Sequence, residues 1–153
     1  MVLTGTEVVT EYSEEPKTEY EKLMRGDTKV LFNHAGTNHS QQTIDIISMI
    51  KDGGKIKDLP PEYWEVRKYN KAFERMSSTG QSNTVDTGHR NYFHYKQNRI
   101  PSVRENARLQ SFTDDFEFLG SKTSQYKQVG NAVPPLLAYV VANAIKDNLD
   151  SVK

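Results

Sequence analysis

The sequence predicts an α+β fold, a small domain of short twisted strands and helices followed by a C-terminal helix. Strand candidates are short and separated by loops, and few segments have strong helical periodicity, which is typical of α+β domains. A length of 153 residues fits one domain. The hydrophobic fraction of 35% is low for a globule that stands alone, and it indicates a piece of something larger.

Short elements fill the first two thirds of the chain. Residues 11–22 are acidic and are expected to be mobile or weakly helical. Ser40 is placed to cap a helix over residues 41–51, and Gly53 with Gly54 would end it. The strand candidates are residues 2–9, which could instead be an arm, 29–32, 84–87 and 92–95.

A capped helix is predicted to start after Ser102. Ser102 and Glu105 have the spacing of a capping box, in which each side chain accepts a hydrogen bond from the other residue's backbone amide. Arg104 and Arg108 are four residues apart, so the helix is expected to have one packing side and one cationic side. A polar connector is expected to follow this helix.

The last segment combines a Gly-Asn turn with an apolar helix. Gly130 permits backbone conformations that other residues avoid, and Pro134 and Pro135 suit a first helical turn. The backbone of Gly130, Asn131 and Ala132 just before a helix suits a polar group of a small molecule. Apolar residues then recur at helical spacing, so this helix needs an apolar partner. They form a stripe of Leu137, Val141, Ala144, Ile145 and Leu149.

Charge is balanced overall but uneven along the chain. Lys+Arg and Asp+Glu both number 20, so the total does not indicate a nucleic-acid partner. Residues 1–24 have six Glu and two Lys, whereas residues 67–108 have nine Lys or Arg and three acidic residues, a net charge of +6. Such a basic stretch is typical of a phosphate-facing surface, and equally of a solvated face.

Several classes of site are absent from the sequence. There is no cysteine, which excludes disulfides, Cys-based zinc sites and a cysteine nucleophile. The four histidines lack metal-ligand spacing with nearby carboxylates, so no metal site is predicted. No signal sequence or membrane-spanning run is visible, and we expect a cytoplasmic protein without a membrane partner.

Two segments resemble motifs of the bacterial DNA cytosine-5 methyltransferases. Residues 99–121, RIPSVRENARLQSFTDDFEFLGS, resemble the ninth motif of that family, with Thr113 where the family usually has Pro. Residues 128–138, QVGNAVPPLLA, resemble the tenth and last motif, and the two stand in the family's order and spacing. The structural residues that the resemblance assigns to the ninth motif are Arg99, Ser102, Arg104 and Glu105.

The resemblance implies a division of the chain. Residues 1–120 would be the target-recognition region with the ninth motif. Residues 121–153 would be a connector and helix that pack on a Rossmann-like α/β methyltransferase domain absent from this sequence. The implied DNA contacts are Thr84, Thr87, Gly88, His89 and Arg90. The implied S-adenosylmethionine contacts are Gly130, Asn131, Ala132 and Val133.

Ordinary structural roles are the alternatives for several of these residues. Thr84 and Thr87 are also ordinary strand residues, since β-branched side chains are common in strands. Asn131 could serve as a helix cap, and Val133 could simply pack in a core. Either role is compatible with contact to a cofactor.

The implied function is limited by what the sequence lacks. Enzymes of this family transfer methyl from S-adenosylmethionine to C5 of a cytosine flipped out of duplex DNA, often in restriction-modification systems. That reaction needs a cysteine nucleophile and a Gly-rich cofactor loop, and residues 1–153 have neither, so the chain is predicted to be inactive alone.

The expected partners follow from the same resemblance. They are double-stranded DNA and the catalytic N-terminal half of the enzyme, in the same chain or as a separate subunit. The isolated fragment is expected to self-associate through its apolar helix. The alternative is an orphan DNA-binding module that works without a catalytic partner.

Overall fold

Helices and two-residue strands form the regular structure of the described residues. The computed structural model describes residues 10–64, 73–88 and 92–152. The strands are β1 (Thr10–Glu11), β2 (Val30–Leu31), β3 (Glu74–Arg75) and β4 (Tyr92–Phe93). The helices are α1 (Glu19–Arg25), α2 (Gln41–Met49), α3 (Val103–Leu109), α4 (Lys122–Asn131) and α5 (Pro135–Ser151), with 3-10 helices at Ile56–Asp58 and Pro61–Tyr63. This mixture confirms a small α+β fold, while the strand or arm predicted at residues 2–9 lies outside the described residues.

Serine and threonine caps fix the starts of α1 to α4. In α3 the Glu105 amide donates to Ser102 Oγ (3.2 Å), and the Ser102 amide donates to Glu105 Oε2 (2.7 Å), which confirms the predicted capping box. Ser40 caps α2 as predicted, and α1 starts with a second capping box formed by Thr18 and Glu21. The caps satisfy first-turn amides that have no partner inside the helix.

The strands form two small sheets. β1 pairs antiparallel with β2, and β3 pairs parallel with β4. β2 and β4 lie within the strands predicted at residues 29–32 and 92–95. The strand predicted at residues 84–87 is wrong, because the segment folds into a local turn in which the Gly88 amide donates to Asp86 Oδ1 (2.9 Å).

Two apolar clusters form the core. The first joins α3, α4 and the segment between them, and it contains Val103, Ala107, Phe112, Phe118, Tyr126 and Val129. The second joins α2 to the residues around β3 and β4, and it contains Ile47, Ile50, Phe73, Phe93 and Ile100. The first cluster explains why residues 122–131 form a helix although a polar connector was predicted. Their sequence is mostly polar, but Tyr126 and Val129 are buried against α3, and such packing stabilises a helix of weak amphipathicity.

α5 leaves the core and has no buried residue. Its first turn is held where the Leu136 amide donates to Ser111 Oγ (3.1 Å). Burial therefore ends between Ala132, which packs on the first cluster, and Pro135, which is exposed. The boundary predicted between residues 120 and 121 stays a prediction. None of the helices in the described ranges has the length and apolar character needed to cross a membrane.

Candidate functional site

A largely buried ion pair reinforces the cap of α3. Arg99 donates two hydrogen bonds to Glu105, from Nη1 to Oε2 and from Nη2 to Oε1, each 2.7 Å long. The two side chains are 18% and 21% exposed. Burial alone would raise the pKa of the Glu105 carboxyl, but the hydrogen bonds from Arg99 and from the Ser102 amide lower it to about 2. Glu105 is therefore charged at neutral pH and fixes Arg99 against the start of α3.

Arg104 is a buried connector rather than part of a cationic surface. Its guanidinium donates from Nε to the Phe32 carbonyl (3.0 Å) and from Nη1 to the Thr113 carbonyl (2.9 Å), and its side chain has no exposed area. Arg108 donates from Nε to Asp114 Oδ1 (2.9 Å). The predicted cationic side of α3 is therefore wrong, because both arginines turn toward acceptors that the neighbouring loops supply.

Internal acceptors engage the arginines described in the basic stretch at residues 67–108, and the Arg108 side chain is still 33% exposed. Arg75 is 5% exposed, and its guanidinium donates to the carbonyl oxygens of Ile50 (2.8 Å) and His94 (3.0 Å). The other arginines described in this stretch make the hydrogen bonds given above; they are Arg99, Arg104 and Arg108. Lys96 remains the exposed cation among residues 73–88 and 92–108. The net charge of this stretch does not indicate a cationic surface, because these guanidinium groups donate to internal carbonyl and carboxylate oxygens.

The predicted Gly-Asn turn is the end of a helix. Gly130 and Asn131 are the last residues of α4, and the Ala132 amide donates back to the Val129 carbonyl (3.2 Å). These backbone groups therefore belong to the end of α4 and not to an open turn at a helix start, which corrects the predicted turn; their contact with S-adenosylmethionine stays a prediction. Asn131 and Val133 are exposed and accessible to a ligand through their side chains, with Val133 64% exposed.

Gly130 is the point where another part of the chain crosses α4. A Cβ atom at this residue would lie 2.4 Å from the Asp86 carbonyl oxygen and 2.6 Å from the Thr87 amide nitrogen. Its φ lies outside the left-handed region, so the conformational freedom predicted for it is not what the position uses. The position instead requires the absence of a side chain.

The candidate DNA contacts lie on the segment that makes this crossing. Thr84, Thr87 and Gly88 are exposed. His89 and Arg90, the other two predicted contacts, lie outside the described residues. The crossing brings this segment beside the end of α4, so candidate DNA and cofactor residues occupy neighbouring stretches of the structure.

Two histidines near the α3 cap are engaged in hydrogen bonds. His34 Nδ1 lies 3.0 Å from Ser102 Oγ, and His39 Nε2 accepts from the Ile100 amide (3.2 Å). Burial lowers the pKa of His34, because a charged imidazolium is disfavoured away from water. Within the described ranges, no three His, Cys, Asp or Glu residues are grouped so that they could hold a metal ion.

Comparison with known sequences decides the family. The family model described as C-5 cytosine-specific DNA methylase matches residues 3–147. The chain belongs to this methylase family. This confirms the resemblance that the ninth and tenth motifs carry.

The relatives of this chain differ in the share of their own length that the match covers. The type II methyltransferase M1.HphI of Haemophilus parahaemolyticus is 46% identical over 130 residues, which are 82% of this chain and 34% of that protein. M.DdeI of Desulfomicrobium norvegicum is 32% identical over 156 residues, covering 90% of this chain and 38% of that protein. The chain therefore spans little more than a third of the length of these two relatives. M.AquIB of Picosynechococcus is 35% identical over 129 residues, covering 76% of this chain and 88% of that protein.

A solved structure has the same fold as this chain. It comes from E. coli and is described as a DNA modification methyltransferase encoded within a prophage. The TM-score is 0.76 at 20% identity, and the match covers 96% of this chain and 42% of the other. At this identity the similarity concerns the fold alone.

Asn33 and Asp114 organise the ninth-motif region of this chain, and the sequence alone did not indicate this role for either residue. Asn33 has φ 60°, and its side-chain amide donates to the Phe118 carbonyl (2.9 Å) and accepts from the Phe118 amide (2.9 Å). Asp114 is fully buried and accepts from Arg108 and from the Tyr12 hydroxyl. The tolerance of asparagine for the left-handed region was the available signal for Asn33. Tyr12 and Asp114 are too far apart in the sequence for a local pattern to predict their hydrogen bond.

Proposed function

We propose that this chain is the DNA-recognition and cofactor-pocket-completing portion of a DNA (cytosine-5-)-methyltransferase. The whole enzyme would transfer methyl from S-adenosylmethionine to C5 of cytosine in a specific duplex site, as part of a restriction-modification system. The exposed apolar face of α5 is the observation that carries this proposal. An apolar helix follows the tenth-motif segment directly, yet Leu137 and Ile145 on its stripe are 54% and 56% exposed. Such a face requires an apolar partner.

The partner that fits is the catalytic half of the enzyme. The relatives M1.HphI and M.DdeI are about three times as long as the region they share with this chain, so they contain ample sequence for a Rossmann-like domain. Residues 121–153 would complete that domain, and residues 1–120 would form the recognition region. The complementary half would be in the same chain or in a separate subunit.

The nucleophile must come from the complementary half. This chain has no cysteine, so its own residues can bind, orient and enclose the reactants but cannot attack the base. S-adenosylmethionine supplies the methyl group when bound. We assign one edge of its pocket to Asn131 and Val133, whose exposed side chains offer an amide that donates and accepts and an apolar wall. Gly130 and Ala132 would shape this edge through the backbone.

Duplex DNA would bind at the segment that crosses α4. Thr84, Thr87 and Gly88 are exposed there. We assign His89 and Arg90, which follow Gly88 in the sequence, as further DNA contacts. Arg90 is the proposed base reader, because an arginine can donate two hydrogen bonds to guanine in the major groove. The inward-facing arginines of α3 take no part in this contact.

Reconstitution tests the proposed function. The purified chain should transfer no labelled methyl group to duplex DNA, and adding a polypeptide with the absent catalytic motifs should produce transfer. Each polypeptide alone is the control. DNA binding by this chain without any transfer in the mixture would support the orphan-module alternative instead.

A matched pair of variants tests the cofactor edge. In the reconstituted enzyme Asn131→Ala should weaken S-adenosylmethionine binding by about 0.5–1.5 kcal/mol, the contribution of one neutral hydrogen bond. Asn38→Ala, at another exposed asparagine, should leave it unchanged. Calorimetric titration measures both. Loss of DNA binding with unchanged cofactor affinity in Asn131→Ala would move this residue to the DNA face.

A further inference from the structure

Gly130 stands at an unusually close contact between two backbones. The atoms that a Cβ at Gly130 would meet are the Asp86 carbonyl oxygen at 2.4 Å, the Asp86 carbonyl carbon at 2.5 Å and the Thr87 amide nitrogen at 2.6 Å. All three belong to the backbone, so a rotamer change cannot relieve the overlap. Any side chain at residue 130 must therefore displace α4 or the segment that crosses it.

A glycine inside a helix has a cost that this crossing explains. Glycine is among the least favourable residues in a helix interior because its unfolded chain has more freedom to lose. Gly130 lies in the last turn of α4 and its φ is not left-handed, so it is not needed for a helix-terminating conformation. The remaining reason for a glycine here is space for Asp86 and Thr87.

The crossing segment is anchored on both sides of the contact. Val85 packs on the first core cluster, the same cluster that receives Ala132 from beyond the end of α4. After the crossing, the Gly88 amide donates to Asp86 Oδ1 (2.9 Å), which tightens the turn. The segment is thus held at Val85, at Gly130 and at its own turn, immediately before His89 and Arg90 in the sequence.

We propose that Gly130 is a positioning residue for DNA recognition, because it sets where the segment at residues 84–88 stands on the end of α4. This rests on the proposed function of that segment. Gly130 itself touches no base. It fixes the recognition segment relative to the tenth-motif side chains Asn131 and Val133, which follow it directly in sequence.

The test compares two Gly→Ala changes in the reconstituted enzyme. Gly130→Ala introduces the overlap, whereas a Cβ at Gly36 would have no atom within 4 Å, so Gly36→Ala is the matched control. Methylated cytosines are mapped across the genome of cells that express each enzyme, and the map itself reveals the target site. Gly130→Ala should lower the preference for the target over sites that differ by one base pair about tenfold, within the range of one base contact. Gly36→Ala should match the wild type.

A second variant covers the case in which Gly130→Ala does not fold. Val85→Ala removes part of the anchor of the segment without adding atoms at the crossing, and it should lower site preference in the same direction. A uniform fall in methylation with unchanged preference in both variants would show a purely structural role and overturn the proposal. Wild-type site preference in both variants would also overturn the proposal.

Hydrogen exchange separates this inference from the proposed function. In the isolated chain, Gly130→Ala should accelerate exchange of the Gly88 amide by about tenfold while the amides of α3 exchange as before. Unchanged exchange at Gly88 would overturn the positioning role whatever the activity. If the wild-type chain gives no methylation after reconstitution but Gly88 responds, the proposed function fails and the crossing still positions the segment.

Discussion

Replacing Glu105 with glutamine tests how the start of α3 is stabilised. Glutamine keeps the size of the side chain and can still accept hydrogen bonds, but it removes the charge that pairs with Arg99. The carboxyl pKa is about 2 in the folded chain against an ordinary value of 4.5. A difference of about 2.5 units corresponds to about 3 kcal/mol of preference for the charged form. We expect Glu105→Gln to lower the free energy of unfolding at pH 7 by about that amount.

The chain offers a matched control on α1. Glu21 occupies the same capping-box position after Thr18, but its carboxylate is fully solvent-exposed. Glu21→Gln therefore makes the same chemical change at the same helix position without a buried ion pair. Urea denaturation of both variants at pH 7 should show a much larger loss for Glu105→Gln, because water screens exposed charges.

The pH dependence provides a second arm of the same test. The Glu105 pKa is lowered on folding, so its contribution is present above pH 4.5 and is lost as pH falls toward about 2. The wild type should lose stability over this range, and Glu105→Gln should lack that part of the loss. Equal losses for Glu105→Gln and Glu21→Gln at pH 7 would refute the reasoning, since the Arg99 pair would then contribute nothing beyond the cap.

Three further predictions concern other parts of the molecule. Arg104→Lys should destabilise the chain by about 3 kcal/mol or more in urea denaturation, because one ammonium cannot reach the separate carbonyl oxygens that the buried guanidinium joins. The pKa of His34, followed by NMR, should lie below 6.5. Because the unfolded chain then binds the proton more readily than the folded chain, the free energy of unfolding should fall as pH drops from 6.5 through this lowered pKa. A His34 pKa at or above 6.5 would contradict this. Sedimentation should show the isolated chain self-associating through α5, with Val141→Glu on the stripe monomeric and Lys146→Glu on the opposite side unaffected; association that survives Val141→Glu would place the contact elsewhere.

Local signals in the sequence determined the family, the fold class and most helix starts. A cap involves residues three positions apart, so Ser102 with Glu105 and Ser40 before α2 could be read directly. The ninth and tenth motifs are contiguous, and the family comparison confirms what they indicate. The absence of cysteine likewise needs no structure, and it limits the chemistry of this chain on its own.

The tertiary structure alone decided which side chains are buried and which acceptors they contact. The net charge of residues 67–108 gave no sign that Arg75 and Arg104 would be buried, because their carbonyl acceptors come from distant loops. α4 forms because Tyr126 and Val129 reach a core that includes α3, which its polar sequence does not reveal. Gly130 looked like a flexible turn residue, but its role depends on backbone atoms more than forty positions earlier in the chain. Sequence patterns report local conformational preference, whereas burial and close approach depend on which distant segments meet.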